Sequence, residues 1–457
     1  MWIKAKYEKV SVISIYILMS ILFICKVNFY DNNVGRFPDE QAQVSYIAYL
    51  EKTGEVIPKF EKMTILVPIT YNEYRFSDTA INYLGHPPLY YHLMRLSGGV
   101  KDLNGIVIVN LDILRRFSQL IAYLGIALSF YLGLKMLDHL SLHLLYSGII
   151  ISIPMLAYMT ASVNNDTLAF LGVNITVLGF VRYKEDKKNF LTYLIIAIGM
   201  LITTMSKLTA GMIIIQAFIL FAMHEFIKEK SLKFILNKNM LLSLPIYVFI
   251  LIYFMYILNK YHTLQPGLKT IAPEYFRTTG FYVDIGKRNL MSFKEYLLFY
   301  WKHFLKTWSG IYSHVELLKE GSATDFISIG LNSILILPIF SFITIKKNKL
   351  KTTFSFVYIG VLFTLLFQFI FAYNGFISNG YTGGYQSRYY LCALPIMAML
   401  ICLWAKDRFE YVKNELESKQ INTRWAEVSF LFICVIFVLL LIYEDIIYFI
   451  INFINYL

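Results

Sequence analysis

Phe37-Pro38-Asp39-Glu40 places two adjacent carboxylates where an apolar-periodic stretch begins (Ala42, Tyr46, Ile47, Leu50), and Gly54 ends that stretch. A carboxylate so placed can take a proton from an attacking hydroxyl, provided the two come within hydrogen-bond reach. The same residues also suit a plain helix start, with proline and acids in the first turn. Gly85-His86-Pro87-Pro88-Leu89-Tyr90-Tyr91 offers an imidazole and two phenols, or simply a helix opened by prolines. Gly383-Gly384-Tyr385-Gln386-Ser387-Arg388-Tyr389-Tyr390 sets a guanidinium at a helix mouth. Its planar fork of donors matches a phosphate, although an arginine there can also merely snorkel to lipid headgroups. Arg115, Arg116 and Lys207 add cations at comparable positions, and Asn164-Asn165-Asp166 opens a helix as an N-cap does.

These groups must be positioned by apolar helices. The 457-residue chain is 57% hydrophobic and only 16% charged, with mean hydropathy +0.55. A soluble domain carries roughly 25% charged residues, and apolar runs of about 18 or more residues are what a bilayer core requires. The pattern predicts an all-α polytopic membrane protein, one membrane domain over 1–457, with eleven spans near 9–29, 115–136, 141–160, 166–182, 190–205, 208–225, 240–259, 326–345, 353–373, 388–405 and 426–443. Lys4, Lys6 and Lys9 precede the first run, which lacks a small-residue cleavage site and is read as an uncleaved helix.

The net charge of +12 does not indicate nucleic acid, because the lysines cluster between apolar runs. Basic clusters fall at 182–188, 228–238 (including Lys233), 346–351 (including Lys346 and Lys347) and 406–424. With the N-terminus cytoplasmic, all four lie inside, as the positive-inside rule demands. A plasma-membrane protein of this topology turns two long loops outward, 30–114 and 260–325, both expected to carry interfacial helices. The second holds Phe293 to Tyr312, with Trp301 and Trp308 among lysines, as a helix at the membrane surface would. Cys25, Cys392, Cys402 and Cys434 have neither disulfide nor metal spacing. No cofactor is identified; a divalent metal stays possible without being indicated.

The carboxylates, the His-Pro-Pro turn and the cations thus share one face of the membrane. In this order, Pro38-Asp39-Glu40, His86-Pro87-Pro88-Leu89-Tyr90-Tyr91, Ser162-Val163-Asn164-Asn165-Asp166, Ser206-Lys207-Leu208-Thr209, Lys306-Thr307-Trp308-Ser309-Gly310 and Gln386-Ser387-Arg388-Tyr389-Tyr390-Leu391 resemble the GT-C superfamily of membrane glycosyltransferases. That superfamily includes protein O-mannosyltransferases and the aminoarabinose transferase of lipid A; within it the chain looks most like a large, poorly characterised bacterial family. The resemblance implies a polyprenyl-phosphate-linked sugar donor and a glycan, glycolipid or protein acceptor. It implies Asp39 as catalytic base, with Glu40 as second carboxylate. Arg388 and Lys207 would hold the donor phosphate, while His86 and Tyr90 shape the pocket; Arg115, Arg116, Asp166 and Tyr389 complete the expected substrate-binding set. Ser387 departs from the glycine common before the family's Arg-Tyr pair. Two rival readings remain: a transporter or flippase for lipid-linked sugars, which favours mid-membrane charges and broken helices, and a glycan polymerase or ligase.

Overall fold

The structure, a computed structural model, describes residues 2–33, 37–231, 234, 236–309, 322–343 and 349–443. Lys233, Gly310, Tyr312, Lys346 and Lys347, singled out above, lie outside the described residues.

The chain opens with α1 (Trp2–Asn33), followed by α2 (Glu40–Thr53), β1 (Thr64–Pro68), β2 (Glu73–Ile81), α3 (Leu89–Arg95), β3 (Val100–Leu103) and β4 (Ile106–Val109). Then come α4 (Leu111–Met136), α5 (Leu140–Ser152), α6 (Pro154–Thr160), α7 (Asp166–Lys184), α8 (Phe190–Thr204), α9 (Leu208–Glu229) and α10 (Lys238–Tyr261). Two short helices, α11 (Leu268–Ile271) and α12 (Pro273–Thr278), lead to α13 (Phe293–Ser309), α14 (Ser322–Ile343) and α15 (Lys349–Asn379). A 3-10 segment, Ser387–Ala393, runs into α16 (Leu394–Ser418), and α17 (Arg424–Leu441) follows.

The expectation of eleven spans is overturned. Among the described residues the apolar runs are helical, but only seven helices are long and apolar enough to cross a membrane, or eight if the bent pair α5–α6 counts as one. Hydropathy locates apolar stretches; crossing also requires length. The 15 residues of α8 rise only about 22 Å, against roughly 30 Å of hydrocarbon. Charge bounds α7, which opens on Asp166 and carries Arg182 and Lys184 in its last turn. Helices that do cross show apolar residues outward: on α10, Leu242, Phe249, Leu251 and Ile252 are exposed while Tyr253 and Ile257 are buried. This is a multi-pass membrane protein.

The first long segment also departs from the helical expectation. Besides α2 and α3 it contains an antiparallel sheet in the order β1-β2-β4-β3. Pro68 pairs with Tyr74 across the β1–β2 turn, and Leu103 with Ile106 across the β3–β4 turn. Asn104 and Gly105 make that second turn with φ of 54° and 93°, the left-handed pair a two-residue hairpin needs. The sheet and α2 bury their own core, in which Tyr46 stacks on Tyr91 at 3.7 Å and Phe60 meets Tyr261 of α10. The second segment holds α13, whose Tyr296, Tyr300, Phe304 and Trp308 are buried; Tyr296 stacks on Phe376 of α15. Leu298 and Trp301 remain exposed on its other side.

Two local devices shape the helical core. At Gly199 an added Cβ would lie 2.4 Å from Thr176 Oγ1, so the glycine lets α7 and α8 approach closely, as small residues do between membrane helices. The α5–α6 pair bends by 61° where Pro154 lacks the N–H that would continue α5. Lys26 Nζ donates to the carbonyls of Ile151 and Ser152 at 3.2 Å each, satisfying acceptors near the break.

Candidate active site

Asp39 is the last residue before α2, and its φ of 58° places it in the left-handed region. A non-glycine residue is uncommon there, although aspartate tolerates it better than most. The turn sends Asp39 and Glu40 in different directions. Glu40 points inward, where Arg115 grips it with two bonds, Nε to Oε1 at 2.9 Å and Nη2 to Oε2 at 2.6 Å. The Val163 amide donates a third bond to Oε1 at 2.9 Å. Arg115 also reaches Asp31 at 3.1 Å and lies over the Phe37 ring. Glu40 therefore ties α2 to α1, α4 and the turn before α7.

Asp39 points the other way. Tyr83 Oη donates to Oδ1 at 2.6 Å, and Arg388 Nη2 donates to Oδ2. Burial pushes this carboxyl up, but the Arg388 guanidinium and the Tyr83 hydroxyl outweigh it and hold Asp39 well below the usual carboxylate range. The Tyr83 hydroxyl is pushed up, by burial and then by Asp39, so it stays a donor.

Arg388 comes from the start of the Ser387–Ala393 segment. Thr307 of α13 holds the preceding residue: its hydroxyl donates to Ser387 Oγ at 3.0 Å and accepts from the Ser387 amide at 3.1 Å. Arg388 is 7% exposed, and its Nε has no hydrogen-bond partner among the described residues.

Lys207 sits in the turn between α8 and α9, buried and paired with Asp166 at the start of α7. Burial pulls its ammonium down against the opposing pull of Asp166. Asn165, instead of capping α7, donates to the Ser206 carbonyl at 2.8 Å and joins the two turns. Asn164 Oδ1 accepts from the Asp166 amide at 3.0 Å. The Tyr389 ring carries both cations, Lys207 Nζ at 4.7 Å and Arg388 Cζ at 5.7 Å from its centroid.

His86 borders this cluster. Its Nδ1 lies 3.3 Å from Gln265 Nε2, and its carbonyl accepts from Tyr46. Burial, then the nearby Lys207, pushes its imidazole down to about 3. An added Cβ at Gly85 would meet the Pro266 carbonyl oxygen at 1.8 Å, so the two long segments touch through backbone beside His86. Tyr90 is fully buried and donates to Ser118 at 3.0 Å, and its hydroxyl is pushed up by that burial.

Of the residues expected at the site, Asp39, His86, Asp166, Lys207, Arg388 and Tyr389 are brought together. Tyr90 and the Glu40–Arg115 pair form the layer beneath, while Arg116 is exposed and reaches Asn28 at 3.5 Å. The sequence reading missed Tyr83 and Gln265, each of which acts through a tertiary contact that no local pattern announces; Thr307 stood in a quoted motif, but without a role. Among the described residues no three His, Cys, Asp or Glu side chains converge to hold a metal ion. A small apolar cavity, with room for about one water, adjoins Asp166; Ile126, Leu156, Met159, Phe170 and Leu391 line it.

No protein-family model matches the chain, and no curated protein does. Among solved structures it is similar to ArnT from Cupriavidus metallidurans. The apo crystal structure is 12% identical, covering 88% of this chain and 78% of the ArnT chain, with a TM-score of 0.38. The crystal structure bound to undecaprenyl phosphate is 11% identical, covering 90% and 81%, also with a TM-score of 0.38.

Proposed function

We propose that this chain is a membrane glycosyltransferase of the GT-C type, moving a sugar from a polyprenyl-phosphate-linked donor to a cell-envelope acceptor on the extracytoplasmic face. One observation carries the reading: an ionised carboxylate and two buried cations meet around one aromatic ring, as Asp39, Arg388, Lys207 and Tyr389 do. In this proposal the N-terminus is cytoplasmic and the site faces outward.

In this reading Asp39 takes the proton from the acceptor hydroxyl as its oxygen attacks the anomeric carbon. The bond from that carbon to the phosphate oxygen breaks with inversion. Polyprenyl phosphate departs with its charge on Arg388 and Lys207, groups already fixed in place and so needing little reorganisation. Neutral His86 and the Tyr389 ring border the sugar. Glu40 and Arg115 set the turn that aims Asp39, Tyr90 supports the wall beneath, and Arg116 faces lipid headgroups.

A second reading, transport of a lipid-linked sugar, is favoured by the bent α5–α6 pair with Lys26 buried against its carbonyls, since broken helices and buried charge mark transport sites. Mass spectrometry of surface glycans separates the two in a deletion strain complemented with wild type, Asp39→Asn or Arg388→Ala at matched membrane levels. Transfer predicts loss of one defined sugar in both variants. Unchanged glycans with Asp39→Asn would remove the base and leave transport.

A further inference from the structure

We infer that Arg388 and Lys207 form a single anion site for which the chain's own carboxylates, Asp39 and Asp166, compete with the phosphate of the ligand. The inference rests on the reading above and deepens it: phosphate binding is what releases Asp39 to act as a base.

The pairing is specific. Each cation meets one carboxylate, Arg388 with Asp39 and Lys207 with Asp166, and the two cations share the Tyr389 ring. Neither pair is saturated. The guanidinium spends Nη2 on Asp39 and turns Nη1 to the Met159 sulfur at 3.9 Å, while Nε finds no acceptor among the described residues. Asp166 uses Oδ1 on Lys207, and its Oδ2 is buried without a donor among the described residues. A structural ion pair this deep ordinarily needs every remaining lone pair and proton satisfied, because desolvation is costly. Unspent donors on one side and an unspent acceptor on the other leave the cluster able to exchange partners.

A phosphate on Arg388 and Lys207 offers several acceptor oxygens where each carboxylate offers two. Its arrival displaces Asp39 onto the Tyr83 hydroxyl alone. A carboxylate bound to a guanidinium is a poor base; released, it regains basicity beside the phosphate that it serves. The two cations also discriminate by charge. A phosphate monoester carries close to two negative charges at neutral pH and a sugar phosphodiester one, so the site binds the departing monoester more tightly than the donor.

The test measures binding, not turnover. Purified protein in lipid nanodiscs is titrated with farnesyl phosphate at pH 7, with farnesol as the neutral control. If a carboxylate masks the cations most of the time, apparent affinity falls by the unmasked fraction. Asp39→Asn is then expected to bind farnesyl phosphate about tenfold more tightly than wild type, and Arg388→Ala about tenfold more weakly, with farnesol binding unchanged. Asp166→Asn, which frees Lys207, should also bind more tightly and serves if Asp39→Asn does not fold. Affinity in Asp39→Asn and Asp166→Asn no higher than wild type overturns the competition while leaving the transferase reading intact. Equal binding by wild type and Arg388→Ala overturns the anion site itself, and the transferase reading with it.

Discussion

Arg388 donates to the carboxylate of Asp39 across 349 residues of sequence, joining the mouth of the helix that leads into α16 to the turn before α2. Residues at nearly opposite ends of the described chain thus form the centre of the site, and changes at either are expected to act on chemistry before they act on folding.

Asp39→Asn keeps the shape and the Tyr83 contact while removing the charge. Loss of a positioned base commonly slows turnover by about 10²–10⁴-fold. Turnover of purified protein with a polyprenyl-phosphate sugar should fall within that range, with normal yield and insertion. A rate within a factor of two of wild type would sink the assignment of Asp39.

Glu40→Gln should behave differently from Asp39→Asn, although the residues are neighbours. Glu40 accepts two bonds from Arg115 and one from the Val163 amide, and hydrogen bonds to charged groups contribute about 1.5–3 kcal/mol each. Thermal unfolding in detergent should show a clear drop in midpoint for Glu40→Gln and a smaller one for Asp39→Asn. The reverse order would show that Glu40 does not tie α2 to its neighbours.

Lys207 and Asp166 should be strongly coupled. Removing one member of a buried pair costs about 3–5 kcal/mol because the other charge is stranded. Lys207→Met and Asp166→Asn should each lower the melting midpoint, and the double variant should melt above the sum of the two losses. Simple additivity would show that the contact contributes nothing to stability.

His86 should stay neutral at every pH the cell meets. Burial and Lys207 depress its folded value to about 3, against about 6.5 unfolded. The unfolded chain therefore binds the extra proton first, so the stability contribution is whole above pH 6.5, shrinks as pH falls, and is gone below pH 3. His86→Gln should flatten this acid loss, and the wild-type rate should show no limb near pH 6.5. A rate limb at that pH that vanishes in His86→Gln would make His86 a proton carrier.

The candidate residues were legible in the sequence by type and position, although each also had a plain structural reading. Arg388, Lys207 and Asp39 each could be picked out singly. Their pairing could not, nor could Tyr83, since nothing within three residues of His86 marks one tyrosine as the partner of a carboxylate. Glu40 and Asp39 look alike as neighbours, and only the left-handed turn separates them. The error in span number came from treating apolar content as length, which fails for α8. The sheet had a visible signal in Asn104-Gly105 followed by the β-branched run Ile106–Val109, overlooked because an apolar chain invites a helical reading throughout.

Gly85 against Pro266 carries a consequence for how such a chain diversifies. With no room for even a methyl group between the first and second long segments, and with the blocking atoms all Pro266 backbone, no change of side chain at 266 makes space for one at 85. Gly85 should therefore stay glycine across relatives while substitutions accumulate where the segments are unconstrained, at the hairpin tips around Tyr71 and Asn104.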